Sequence, residues 1–214
     1  MVDIIIVRFN ALEYEQDCVR SVLHFTTNCK ITVYDNYTQK ENIAQLWNRL
    51  IRQSECEYVC LLNSDTVVSR GWLEGLLEVF NYEENVGAVG PSTSSSRNPQ
   101  AIGNKENWQK PELVDFEQEY GKTHQLSGFC LLVSKKAWKD AGGFPEDLGF
   151  YGQENVFLNR VQKKGYKTIW RKSVFVYHYG SVSAKKEFTE IQLKEERKKA
   201  NIFYQKEIND NFNL

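Results

Sequence analysis

Several features that would force an unusual reading are missing. No apolar run reaches the ~18 residues that a membrane-crossing helix needs. Met1-Val2-Asp3-Ile4 carries no basic leader, so neither a spanning helix nor a signal peptide is expected. Only 4 prolines and 13 glycines occur in 214 residues, without period or low-complexity tract, which excludes collagen-like and disordered chains. Neither sign of charge dominates, since 27 Lys and Arg against 28 Asp and Glu leave a net charge of -1 and a pI of about 6.3. That excludes binding of nucleic acid through bulk positive charge, while leaving room for a local basic patch. Histidine is scarce, with 3, and the 5 cysteines at 18, 29, 56, 60 and 130 form no Cys-x-x-Cys pair, so no zinc spacing is present. An odd set of scattered thiols reads as reduced and buried, which points to a reducing, cytoplasmic setting. Asn36-Tyr37-Thr38 matches a glycosylation sequon and, without a secretory signal, is read as chance.

What is present is an alternation. Ile4 to Val7 is a continuous apolar run, as in a strand buried on both faces. Asn10 then caps a helical pattern carrying Cys18, Val19, Val22, Leu23 and Phe25. Ile31 to Tyr34 is a second strand ended by Asp35-Asn36. From Lys40 to Gln53, Ile43, Leu46, Trp47 and Leu50 share one helix face. Tyr58 to Leu62 is a third strand, Gly71 to Phe80 a third helix, and Val86 to Val89 a fourth strand closed by Gly90-Pro91. Strand and helix at this spacing predict a single α/β domain with a mostly parallel central sheet.

The pattern changes after Pro91. Residues 92–125 are polar and aperiodic and read as a long loop, with 92–110 expected to be conformationally variable. Leu126 to Val133 reads as a strand containing Gly128, Lys135 to Ala141 and Gln153 to Lys164 as helices, and Tyr166 to Trp170 and Val174 to His178 as two short strands. From Ala184 the chain is dense in Lys and Glu but nearly neutral. It reads as a charged C-terminal helix whose apolar edge holds Phe188, Ile191, Phe203 and Tyr204, packed on the domain or offered to a partner or a membrane surface. The expected division is a domain over 1–183 and a helical extension of that domain over 184–214.

Ligands of parallel sheets sit at the carboxyl ends of the strands. Those ends carry Arg8-Phe9-Asn10, Asp35-Asn36 and Asn63-Ser64-Asp65. A carboxylate on the third turn either caps it or holds a divalent cation against a diphosphate. Glu154 falls in the first turn of a helix, where the macrodipole favours an ionised carboxylate. It is either a helix-start residue or a general base.

Taken in order, these segments resemble the GT-A glycosyltransferases, close to bacterial glycosyltransferase family 2, over most of residues 3–183. The motifs are Ile4-Ile5-Ile6-Val7 with Asn10, then Asp35-Asn36, then Leu61-Leu62-Asn63-Ser64-Asp65-Thr66 with Gly71-Trp72-Leu73. They continue with Ser127-Gly128-Phe129 and Gly142-Gly143-Phe144-Pro145, then Gly152-Gln153-Glu154-Asn155, then His178-Tyr179-Gly180-Ser181. The resemblance implies a single Rossmann-like GT-A domain moving one sugar from a nucleotide sugar to an acceptor hydroxyl, with inversion. In that scheme Asp65 and His178 hold Mg2+ or Mn2+. Arg8, Asn10, Asp35, Asn48, Asn63, Ser64, Asp65 and Gly128 are the candidate nucleotide and donor contacts. Glu154 is the base. Gln153-Glu154 stands where relatives carry Glu-Asp, and Asn63 replaces the first acid of the Asp-x-Asp form. UDP is the favoured nucleotide, with dTDP or GDP as alternatives. The acceptor classes are a glycan, a lipid-linked sugar, a protein or a modified nucleic acid.

Two other readings differ in kind. One is a non-catalytic nucleotide-sugar or glycan-binding module of the same fold, which would tolerate loss of Asp65 and Glu154. The other is a retaining transferase, since Gly152-Gln153-Glu154-Asn155 also resembles a motif of the retaining enzymes that glycosylate polypeptides. A sugar nucleotidyltransferase would need a Gly-rich loop where Arg8-Phe9-Asn10-Ala11-Leu12 stands. A dinucleotide oxidoreductase would need a Gly-x-Gly-x-x-Gly that does not occur.

Overall fold

The computed structural model describes residues 1–10, 12–104, 113–121 and 125–209. Its frame is a mixed sheet built from β1 (Val2–Arg8), β2 (Cys29–Asp35), β3 (Tyr58–Asn63), β4 (Thr66–Val67), β5 (Val86–Thr93), β6 (Leu113–Asp115), β7 (Cys130–Ser134) and β8 (Lys167–His178). The strand order is β2-β1-β3-β7-β5-β8-β4, with β6 also on β8. The long ladders, β1 with β2, β1 with β3 and β5 with β8, are parallel. Between them β7 runs antiparallel to both β3 and β5.

The period of two along the central strands sorts side chains onto two cores. Ile4, Ile6, Cys60, Leu62, Cys130 and Leu132 face one side, where α1 (Leu12–Phe25) and α4 (Trp72–Tyr82) cover them. Ile5, Val59, Leu61, Leu131 and Val133 face the other, under α3 (Ile43–Gln53), α6 (Lys135–Asp140) and α7 (Gln153–Lys163). The expected face of α3 is real, and its start is fixed by Asn42, whose side chain accepts from the amides of Ala44 and Gln45. Residues 36–39 form a separate turn, α2 (Asn36–Gln39), capped by Asp35.

Several expected boundaries move. The strand expected from Leu126 begins at Cys130, and Gly128-Phe129 form the turn before it. The two strands expected over 166–178 are the single β8, whose partner β5 changes register between Pro91 and Ser92. β5 runs on through Pro91 because β7 pairs only with Ala88 and Val89, so the missing amide of Pro91 removes no β7 bond. The expected loop over 92–125 holds the end of β5, then β6 and α5 (Phe116–Tyr120). Of its variable part, residues 105–110 lie outside the described residues. Residues before them are anchored by fully buried Gln100, which donates to Pro91 O and accepts from Ser127 N.

At the C-terminus, α8 (Val182–Glu187) leads into α9 (Glu190–Asn209). α9 packs on α7 and the loop before it through Leu148, Val156, Ala200 and Tyr204. Its buried residues are Leu193, Ala200 and Tyr204, whereas Ile191, expected on the apolar edge, is 71% exposed. No helix among the described residues is long and apolar enough to cross a membrane.

Candidate active site

The carboxyl ends of β1 and β3 lie at one edge of the sheet, and the antiparallel strands deliver their own residues there. Leu62 pairs with Cys130, and the Asn63 amide donates to Phe129 O at 2.8 Å, which brings Gly128 to the end of β3. Thr66 pairs with His178, which sets the end of β8 beside Asp65. These ends open on a cavity of about 880 Å³. Asn63, Ser64, Asp65, Gly128, Glu154 and His178 all line it.

Asp65 and His178 are both buried, at 4% and 8% exposure. Asp65 Oδ2 accepts from the Val182 amide at 3.1 Å, and Asp65 O accepts from the Tyr179 amide. The His178 ring stacks on Phe129 at 5.0 Å, and its Nδ1 lies 2.9 Å from Ser95 O. That carbonyl can only accept, so Nδ1 carries a proton. Nε2 lies 3.3 Å from Asp65 Oδ1 yet has no aligned hydrogen-bond partner. Burial alone would raise the Asp65 carboxyl, but attraction to the His178 ring in its charged form, with the Val182 amide, outweighs it and holds it below the usual carboxylate range.

An orphaned ring nitrogen facing a carboxylate is the donor set a divalent cation would use. Among the described residues no three His, Cys, Asp or Glu side chains converge. Asp65 and His178 would therefore be the protein's share of an open site, leaving the other positions to ligand oxygens.

Glu154 occupies the first turn of α7, whose cap is Gly152 at φ 90° with no side-chain cap bond. Phe157, Leu158 and Val161 bury the face below it. A Cβ on Gly128 would come within 3.4 Å of Glu154 Cδ, so that glycine lies flat against the carboxylate. Burial raises the Glu154 pKa, and a backbone hydrogen bond offsets only part of the rise. The sequence reading expects the helix end to favour the ionised form; the cost of desolvation is larger.

The nucleotide-side candidates divide. Arg8 Nη2 donates to Asp35 Oδ2 at 3.0 Å, while Glu15 takes the rest of the guanidinium. Asp35 also accepts from Tyr37 N, Thr38 N and Thr38 Oγ1. Desolvation works against its ionisation, and the Thr38 and Arg8 hydrogen bonds together outweigh it, so its carboxyl sits below the ordinary range. The pair stands beside the lining residues Phe9 and Asn36 without itself lining the cavity. Asn36 is buried and donates to Glu41 O, which closes off the sequon. Asn10, at φ 48°, donates to Glu187 of α8.

Asn48 is not brought to this cavity. It donates to Phe144 O and Glu146 Oε1 and accepts from Trp138 Nε1 and Phe144 N. Every polar position of that amide is used to pin the Gly143-Phe144 turn, so the structure gives it a scaffold role where a nucleotide contact was expected. Sequence reasoning missed Phe129, Ser95 O and the Val182 amide, which orient His178 and Asp65. The two backbone contacts span 83 and 117 residues, and the Phe129 ring reaches His178 from the turn before β7, so none leaves a local signal. It also missed the aromatic residues Phe9, Trp47, Phe150, Tyr151 and Phe188 on the cavity wall.

A sequence model described as glycosyl transferase family 2 matches residues 29–142, more than half of the chain. Similar solved structures include the mannosyltransferase PcManGT from Pyrobaculum calidifontis in complex with GDP-Man and Mn2+. It has a TM-score of 0.60 and 15% identity over 83% of this chain and 56% of that one. GalNAc-T7 with UDP, GalNAc and Mn2+ has a TM-score of 0.63 and 13% identity, over 83% and 43%. S. aureus TarS 1-349 has a TM-score of 0.61 and 14% identity, over 83% and 60%. At such identities the likeness is one of fold, and the chain spans about half the length of these structures. No curated protein matches the sequence.

Proposed function

The chain belongs to glycosyl transferase family 2, and on that premise we propose that it transfers a single sugar from a nucleoside-diphosphate sugar to an acceptor hydroxyl, with inversion. The observation that carries this reading is the shared cavity. The Asp65–His178 pair and the Glu154 carboxylate open into the same space, on a scaffold with the GT-A arrangement.

Asp65 and His178 would hold Mg2+ or Mn2+. When bound, that ion neutralises charge developing on the departing diphosphate. Mn2+ and nucleoside diphosphates accompany two of the similar structures, with GDP-Man in one and UDP in the other. We favour UDP here, with dTDP or GDP as the alternatives. Asn63, Ser64 and Gly128 line the donor side, and Arg8 with Asp35 forms one hydrogen-bonded unit near the base. Asn10 holds α8 through Glu187.

Glu154 takes the proton from the acceptor hydroxyl. The acceptor oxygen forms its bond to the anomeric carbon from the face opposite the leaving group. The carbon–oxygen bond to the diphosphate breaks, and its electron pair leaves with the nucleotide. A raised pKa suits this task, because a stronger base near neutrality drives the transfer further. We assign residues 1–183 to the transferase domain and 184–214 to its helical extension. The five free thiols fit a cytoplasmic, reducing setting.

Glu154→Gln keeps shape and hydrogen bonding but cannot take a proton. Its kcat should fall by roughly 10²–10⁴-fold with donor binding retained. Proton NMR of the first-formed product should show the anomeric configuration inverted. Transfer at the wild-type rate by Glu154→Gln, or a retained configuration, would contradict the role given to Glu154.

A further inference from the structure

The cavity wall formed by α9 and the loop before Glu154 holds a chemistry apart from Asp65, His178 and Glu154. Phe150 is the hub of an aromatic cluster, with ring centroids 6.1 Å from Phe9, 5.1 Å from Tyr151 and 5.1 Å from Phe188. All four rings are half-buried and line the cavity. A cluster that served only to pack α8 and α9 on the domain would be closed off. The loop bearing Phe150 is held by α9. Glu196 Oε2 accepts from the Phe150 amide at 3.2 Å, Arg197 lies over the Tyr151 ring at 4.9 Å, and Ala200 sits against Gly152.

Placement ties this wall to the reacting centre. Glu154 follows Phe150 by four residues. The other tie is α8, whose first amide rests on Asp65 and whose C-cap, Phe188, rests on Phe150. Its six residues rise about 9 Å, a span that leaves room for a sugar ring between the two. Apart from Asp65 and Glu154, the charged groups lining the cavity are of both signs: Glu41 pairs with Arg49, Glu187 with Lys40 and Glu196 with Lys199, which leaves Glu195 as the excess acid.

We propose that this wall is the acceptor subsite and that the acceptor is a neutral or amino saccharide. The inference rests on the donor reading given above. A pyranose has an apolar C–H face that suits an aromatic platform and a rim of hydroxyls that both donate and accept, matching carboxylates beside ammonium groups. With no cationic side chain left over among the described residues lining the cavity to pair with a phosphate, a nucleic acid or a lipid diphosphate is at a disadvantage there.

The test is an acceptor panel assayed with a turned-over nucleotide sugar and Mn2+. It contains methyl hexopyranosides, N-acetylhexosaminides, di- and trisaccharides, a polyprenyl-diphosphate-linked sugar, neutral and basic Ser/Thr peptides, and an oligonucleotide. Wild type should glycosylate at least one free saccharide. Phe150→Ala should raise the acceptor KM about tenfold or more. Glu195→Gln, an exposed and conservative change, should raise it about threefold. The donor KM should move less than about twofold in both. Preference for the lipid diphosphate, a peptide or the oligonucleotide overturns the proposal, as does an unchanged acceptor KM in both variants. Donor hydrolysis without acceptor separates the two readings. Hydrolysis with no saccharide used overturns this proposal alone, whereas no hydrolysis and no transfer with any nucleotide sugar overturns the donor reading as well.

Discussion

Glu154, the base proposed above, carries a cost in stability. Its folded-state pKa lies above the ordinary value of 4.5 because the carboxylate is desolvated. The protonated form therefore favours the fold. That stability is fully present below about pH 4.5 and is lost as pH rises through the folded pKa. Glu154→Gln should unfold at a higher temperature than wild type at pH 7, and calorimetric scans should find the gap closing below about pH 4.5. The proposed base needs the opposite form, so the acid limb of kcat/KM should fall above the ordinary carboxylate value and vanish in Glu154→Gln. Asn48 supplies a contrast. Asn48→Ala strands Trp138 Nε1 and the Phe144 amide, and should cost about 1–3 kcal/mol in urea denaturation while leaving nucleotide binding intact. Asp65 and Glu154 are legible in the sequence because each is a carboxylate at a strand end or helix start. Asn48 is not, because its partners lie 90–98 residues away.

At the scale of elements, what is legible follows local periodicity. β1, β3 and the faces of α3 and α7 read directly from spacing of apolar residues. β7 as an antiparallel insertion, β8 as one bent strand and β6 within a polar stretch depend on partners distant in sequence, and no local pattern announces them. The role of α9 is likewise invisible, since only Leu193, Ala200 and Tyr204 of its 20 residues are buried. Its grip on α7 makes a testable point at Gly152. That residue sits at φ 90°, and an added Cβ would lie 2.8 Å from Ala200 Cβ. Gly152→Ala combines left-handed strain of about 1–2 kcal/mol with overpacking of about 1–3 kcal/mol. Thermal unfolding should show the loss, and hydrogen exchange should show it concentrated in α9 and the start of α7.

For the whole molecule, the arrangement of the sheet is what makes a site. Parallel strands point Arg8, Asp35 and Asn63 to one edge, and antiparallel β7 and β8 return Gly128 and His178 to it. Glu154 arrives from the helix packed beneath. The general scheme of strands and helices, and most residues of that edge, can be read from the sequence, while the wall built by Phe150 and α9 required the fold. The most direct measurement is release of nucleoside diphosphate from a panel of UDP-, dTDP- and GDP-sugars by wild type and Asp65→Ala, with Mn2+, with Mg2+ and with EDTA. Wild type should turn over at least one donor with metal, and that turnover should be lost both with EDTA and in a folded Asp65→Ala variant. Turnover that survives both treatments, or no turnover of any donor, would contradict the proposed function.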